Sequence, residues 1–229
     1  MTGHGSGTAL IGTGAMALEL LELFGAQAFA ACFTDAAFAA AARVHLPLCT
    51  DMAQLRCHAS HFVLALADPE DRRRLAQRLL AAGLLPAPPM VLPSAVISPS
   101  ARLGAGSVVG HGVQIGARCE LGQHNFLMHH AIIGHDARTG DHVMINPAAY
   151  LAGYVTVGEG VVINANATLA KGITVGPAAV IELGAACFRN VPDGMRAIGN
   201  PARIAAPAQG SAPWQPAASE PPGKHIISP

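Results

Sequence analysis

Charge is scarce in this sequence. Only 12% of its 229 residues are Asp, Glu, Lys or Arg, and 14 basic side chains balance 14 acidic ones at a formal net charge of zero. No polybasic surface is therefore available to neutralise nucleic-acid phosphates or to hold the chain on an acidic lipid face. Cysteine is sparse as well: Cys32, Cys49, Cys57, Cys119 and Cys187 make an odd number with no C-x-x-C pair. That excludes a disulfide framework or a zinc knuckle and makes a reducing cytoplasm the expected location. Although 51% of the residues are hydrophobic, the apolar stretches are alanine-rich and broken by Gln27, Thr34 and Asp35. None reaches the roughly 18 uninterrupted apolar residues of a membrane span. The first residues have neither the basic start nor the cleavage pattern of a signal peptide.

What is present is a period of six. Ile97, Leu103, Val109, Ile115, Leu121, Leu127, Ile133, Ile145, Leu151, Val157, Ile163, Leu169, Val175 and Ile181 recur without an insertion, and Thr139 is the one break. Neither a helix nor an isolated strand repeats every six residues, whereas a parallel β-helix does, with six residues per side and three sides per coil. Two positions before each member the residue is small or slender, as at Ala95, Ser107, Cys119, Asn125, Ala131 and Ala149. Residues two apart on a strand share a face, so both rows should point into a narrow prism of about five coils. Glycine or asparagine follows the large residue in most repeats (Gly104, Gly110, Gly116, Gly122, Gly134, Gly140, Asn146, Gly158, Asn164, Gly176), which predicts that these positions turn the chain through special backbone angles.

Ahead of the repeats, Thr8–Gly12 reads as a buried strand followed by a helix through Met16, Leu20, Leu21 and Leu23 that stops near Gly25. Further strands are predicted at about Phe29 to Phe33, ending at Asp35, and through Phe62 to Leu66. Asp68-Pro69-Glu70-Asp71 starts a helix with a capping aspartate, a proline in the first turn and two acids, and Gly83 closes it. Alternating strands and helices make residues 1–90 a small Rossmann-like α/β unit. Pro86, Pro88, Pro89 and Pro93 mark the junction, the coil occupies 91–206, and 207–229 is expected to be a flexible tail rich in proline and alanine.

Histidine clusters between His124 and His135, and His135 falls at a turn beside Asp136. An imidazole accepts a proton near neutrality, and an adjacent carboxylate can hold its tautomer and stabilise its cation, which suits a general base. The same pair would also suit two solvated turn residues. His130 and His135, five apart, also have a spacing seen in coil-forming carbonic anhydrases that bind zinc between subunits, with His111 or His124 as a further ligand. Gly12-Thr13-Gly14-Ala15-Met16-Ala17 fits G-x-G-x-x-A with Asp35 just over 20 residues on, so a dinucleotide site or a purely structural βα turn are both open readings.

The strand-GxG start, "FVLALADPEDRRRLAQRLLAAG", "VLPSAVISPSARLGAGSVV", "IIGHDARTGD" and "AIGNPARI" together resemble the PglD/NeuD-like sugar acetyltransferases, which are left-handed β-helix acyltransferases built from hexapeptide repeats. The resemblance spans about residues 8 to 204. It implies a left-handed coil and a homotrimer using acetyl-CoA as co-substrate, with no metal. The implied reaction is N-acetylation of a nucleotide-linked amino sugar by direct transfer. His135 would be the base, Asp136 its orienter and Gly153 the N–H donor to the carbonyl oxygen. Met144, Ala165, Gly184, Asn200, Pro201 and Arg203 would touch acetyl-CoA, and Gly12, Gly14, Asp35, Ala67 and Asp68 the nucleotide sugar. The chain departs from the family at Met144, where relatives carry a second histidine and which here has His142 two residues before it. It departs again at Ala15-Met16, since relatives usually show glycine-glycine-histidine after the first glycine pair. Transfer to oxygen, transfer of another acyl group, and a binding or scaffold protein that kept the fold without its chemistry remain alternatives.

Overall fold

The computed structural model describes residues 5–207, so the expected tail lies outside them except for its first residue. The N-terminal unit is a five-stranded parallel sheet of order β3-β2-β1-β4-β5, from β1 (Gly7–Ile11), β2 (Ala31–Phe33), β3 (Leu48–Cys49), β4 (Ala59–Leu64) and β5 (Leu85–Pro86). Helices α1 (Ala15–Phe24), α2 (Ala36–Ala39), α3 (Met52–His58) and α4 (Pro69–Ala81) connect them. Central β1 pairs β2 and β4 on its two sides, placing Ala9 between Ala31 and Phe62. Asp68 starts α4 as the sequence predicts, accepting the N–H groups of Glu70 and Asp71 at 2.9 Å each, while Leu75, Ala76 and Leu79 pack on the sheet. The second strand starts later than expected because the Phe29 N–H closes a 3-10 turn onto the Ala26 carbonyl. Strand β3 and helix α3, capped by Asp51, had no counterpart in the sequence reading.

From Met90 the chain winds into a left-handed parallel β-helix of two-residue strands in which each residue pairs with the one eighteen later. Face 1 carries Met90–Val91, Val108–Val109, Phe126–Leu127, Met144–Ile145, Val162–Ile163 and Val180–Ile181. Face 2 carries Val96–Ile97, Gln114–Ile115, Ile132–Ile133, Tyr150–Leu151, Thr168–Leu169 and Ala186–Cys187. Face 3 carries Arg102–Leu103, Glu120–Leu121, Arg138–Thr139, Thr156–Val157 and Thr174–Val175. Both predicted rows point inward: Leu127, Ile145, Ile163 and Ile181 are fully buried, as are Ala131, Ala137, Ala149 and Ala167. Each such large side chain contributes about 2 kcal/mol by leaving water.

The glycine expectation needs correcting. The residues that take up left-handed angles are the second residues of each corner, among them Arg118 (φ 57°), His124 (55°), Asp136 (59°), His142 (59°) and Tyr154 (64°). The glycines that follow the large residue have no such angle. They are required because coils stack closely there: a Cβ on Gly104 would lie 2.4 Å from the Gly122 backbone, and one on Gly140 2.7 Å from that of Glu159. Thr139, the break in the series, also has a reason. Its hydroxyl accepts from the fully buried Asn125 amide at 2.6 Å, and Asn125 in turn accepts from the Val143 N–H at 2.8 Å. A leucine at 139 would leave an amide N–H unpaired in the core, at a cost of about 1–3 kcal/mol.

Face 1 is buried against the N-terminal unit, with Val108, Phe126 and Met144 meeting Leu10, Leu20 and Val63. Along the edge between faces 3 and 1, Phe62, His124 and His142 stack in a column with ring centroids 5.4 and 5.0 Å apart. Arg72 of α4, 1% exposed, donates to the carbonyls of His124 and His142. Burial, then mutual repulsion and Arg72, lowers the His124 pKa to about 3; burial and Arg72 lower that of His142 to about 4, from an ordinary 6.5. Both rings are therefore neutral at pH 7, and the unfolded chain binds more protons once the pH drops below 6.5. Stability should fall from pH 6.5 downward, by about 2 kcal/mol per ring at pH 5, and the loss should level off below the folded pKa values. Melting followed by circular dichroism should show this slope, reduced in His142→Asn; a flat profile between pH 7 and 5 would contradict it.

Candidate active site

His135 and Asp136 occupy the corner between faces 2 and 3, where face 2 has placed Ile133 inward and the chain turns outward. The His135 Nδ1–Asp136 Oδ2 distance is 2.7 Å, and the imidazole is about half exposed. With Nδ1–H donated to the carboxylate, the lone pair sits on Nε2. Arg118, one coil earlier at the same corner, donates Nε–H to Oδ1 and an Nη–H to Oδ2 of Asp136, both at 2.7 Å. Arg118 first and His135 second hold the Asp136 carboxyl well below the usual carboxylate range. Tyr154 packs edge-on to His135 with centroids 5.0 Å apart, and Lys171 Nζ lies 5.4 Å from the Tyr154 ring centre.

Gly153, one coil later, abuts the same imidazole. A Cβ there would fall 2.7 Å from Nε2 of His135, so only glycine leaves room for the ring as it stands. The neighbours Ala152 and Tyr154 donate their N–H groups to Leu169 and His135 carbonyls, whereas the Gly153 N–H makes no such backbone bond. The imidazole edge that carries the lone pair thus packs against a residue whose N–H makes no backbone bond. This arrangement can take a proton from a nucleophile while a carbonyl oxygen gains charge.

The other residues singled out from the sequence are dispersed. Ala165 and Gly184 lie at the edge between faces 1 and 2, across face 2 from His135. Pro201 and Arg203 line a cleft of about 480 Å³ with Phe188 and Arg189 at the top of the coil; Asn200, joined to Pro201 by a cis peptide, precedes it. Met144 is 3% exposed beneath the N-terminal unit, so a ligand could reach it only if that seam opened. Gly12 and Asp35 meet in a small cleft with Phe38 and Arg74. Asp35 is paired with Arg78 at 3.2 Å, and one Asp68 oxygen is used in capping. Ala67 is exposed on the loop between them, and Gly14 precedes α1 with open space beside it. A larger cavity of about 580 Å³ opens between α4 and the coil, bounded by Asp68, Glu70, Arg73, His142 and Glu159.

Within one chain His130 and His135 stand on different edges, His124 is inside the seam, and His111 faces Ser94 at 2.8 Å. Among the described residues no three His, Cys, Asp or Glu side chains come together as a metal set. No helix among them is long and apolar enough to cross a membrane.

Residues 136–171 match the family described as bacterial transferase hexapeptide, six repeats. No curated protein matches the chain significantly. Among solved structures, the fold is similar to a perosamine N-acetyltransferase variant from Caulobacter crescentus in complex with CoA and GDP-perosamine. The two are 31% identical over 88% of this chain and 97% of that one, with a TM-score of 0.80. The acetyltransferase domain of PglB from Neisseria gonorrhoeae FA1090 is 26% identical over 88% of this chain and 100% of its own, at a TM-score of 0.75, and is also known in complex with acetyl coenzyme A. WeeI from Acinetobacter baumannii AYE, 21% identical with a TM-score of 0.78, shares the fold.

Proposed function

Because this chain belongs to the PglD/NeuD-like sugar acetyltransferases of the hexapeptide-repeat family, we propose that it acetylates the amino group of a nucleotide-linked amino sugar by direct transfer from acetyl-CoA. The observation that carries the reading is the His135–Asp136 pair with Nε2 packed against Gly153, whose N–H makes no backbone bond. His135 Nε2 takes the proton from the attacking amine as its nitrogen bonds to the thioester carbon. The carbonyl oxygen, now negative, accepts from Gly153, and collapse breaks the C–S bond to release the CoA thiol, which leaves with the proton. No acyl-enzyme forms.

The nucleotide moiety belongs to the N-terminal unit, where the open approach to Gly14 and the Gly12–Asp35 cleft suit a diphosphate and a nucleoside. GDP-perosamine, bound by the Caulobacter protein, is an example of the substrate class. A homotrimer completes the reading. Val96, Tyr150, Tyr154 and Phe188 leave apolar surface exposed on face 2 and at its boundaries, by 67, 43, 50 and 65%. Only a second copy can bring the far edge of that face, with Ala165 and Gly184, up to His135.

Free-thiol release from acetyl-CoA with UDP-, GDP- and dTDP-linked amino sugars tests the reaction. We expect turnover with at least one of them and none with the matching hydroxyl sugars, by a species that sediments as three chains. Turnover with the hydroxyl sugars alone would assign transfer to oxygen instead.

A further inference from the structure

We infer that Arg118 is a positioning residue for the transfer: its guanidinium fork fixes the Asp136 carboxylate, which in turn fixes the tautomer and plane of the His135 ring. The inference rests on the reading of His135 as the base. Both Asp136 oxygens are engaged by Arg118 at 2.7 Å, and the same Oδ2 also meets His135 Nδ1. A carboxylate held by two parallel N–H bonds cannot rotate about its own axis, so the third bond, to the imidazole, inherits a fixed direction. Arg118 is itself anchored: its N–H donates to Ser100 Oγ at 3.0 Å, and the Asp136 N–H donates to the carbonyl of its neighbour Ala117 at 2.8 Å. Arginine and acid thus occupy equivalent corner positions eighteen residues apart, both in the left-handed conformation that turns their side chains outward together.

The fork also bears on charge. Arg118 and the His135 ring meet the same Asp136 oxygen, so the guanidinium and the imidazole share one acceptor. The other groups facing the pair are Tyr154 and Lys171 from the following coils, Cys119 beside Asp136 on the inner side, and Arg102, Glu120 and Arg138, which share with Arg118 and Asp136 a groove of about 540 Å³ on face 3. Among the described residues no other arginine or lysine is hydrogen-bonded to Asp136.

The test compares Arg118→Gln and Arg118→Lys with His135→Ala in the thiol-release assay. Arg118 is exposed, so the variants should melt as the wild type does. In Arg118→Gln, kcat should drop about tenfold with KM for both substrates held. Arg118→Lys should leave kcat low as well, because an ammonium supplies the charge without the fork. An unchanged kcat in Arg118→Gln would overturn the inference. So would a rise in KM for acetyl-CoA or the nucleotide sugar with kcat held, since that result would make Arg118 a phosphate contact. An active His135→Ala would instead defeat the reading of the base, whatever Arg118 does.

Discussion

His135→Ala should lower kcat for acetyl transfer by about 10² or more, the usual scale for removing a general base and about 3 kcal/mol of barrier. The side chain is half exposed at a corner and makes no core contact that its loss would empty, so the fold should persist. Asp136→Asn should cost less. An asparagine oxygen still accepts a hydrogen bond from Nδ1 and keeps Nε2 free, while the loss of charge removes part of the stabilisation of the imidazolium. Rates must be read where chemistry limits turnover, and wild-type values for both variants there would mean that another group removes the proton.

Gly153→Ala is expected to be as damaging by a different route. The backbone at 153 is outside the left-handed region, so alanine fits its conformation without strain. The added methyl would sit 2.7 Å from Nε2, 2.9 Å from Cε1 and 3.1 Å from Cδ2 of His135, and the half-exposed ring would have to swing away. Stability should change by less than about 1 kcal/mol, as for a substitution that displaces only a mobile side chain. Activity should drop by about 10², because the ring would leave the position in which we propose it acts as base beside the proposed oxyanion donor. Retention of even a third of wild-type turnover in a folded Gly153→Ala protein would show that base and oxyanion donor need not be neighbours.

The features that could be read from the sequence are those that repeat. A row of large aliphatic residues every six positions, with a small row two before it, has one geometric solution, and Ile97 to Ile181 follow it with both rows inside. His135 and Asp136 were legible for the same reason: their phase in the repeat puts them at a corner, facing out. Relations between coils were harder to see. Arg118 was not singled out in the sequence, yet it lies eighteen residues before Asp136, and that arithmetic was a usable signal for the pair. Asn125 at an inward position likewise announced a buried amide in need of a partner, which Thr139 supplies fourteen residues later. The Phe62–His124–His142 column and Arg72 had no sequence signal, since they depend on how two separately patterned units dock. Glycine was misread because its two uses look alike in a sequence: permission for an unusual angle, and absence of a side chain where backbones nearly touch.

The pairing of every strand residue with the one eighteen positions on makes the height of the coil quantised. Deleting eighteen consecutive residues beyond Lys171 would lower the top by one storey, and each remaining ladder could re-form beneath it. Deleting six would rotate everything above the cut by a third of a revolution and carry the Phe188–Arg203 cleft onto a different side of the prism. Lineages of such chains can therefore gain or lose whole storeys while the reacting corner keeps its compass bearing, and intermediate lengths are closed to them.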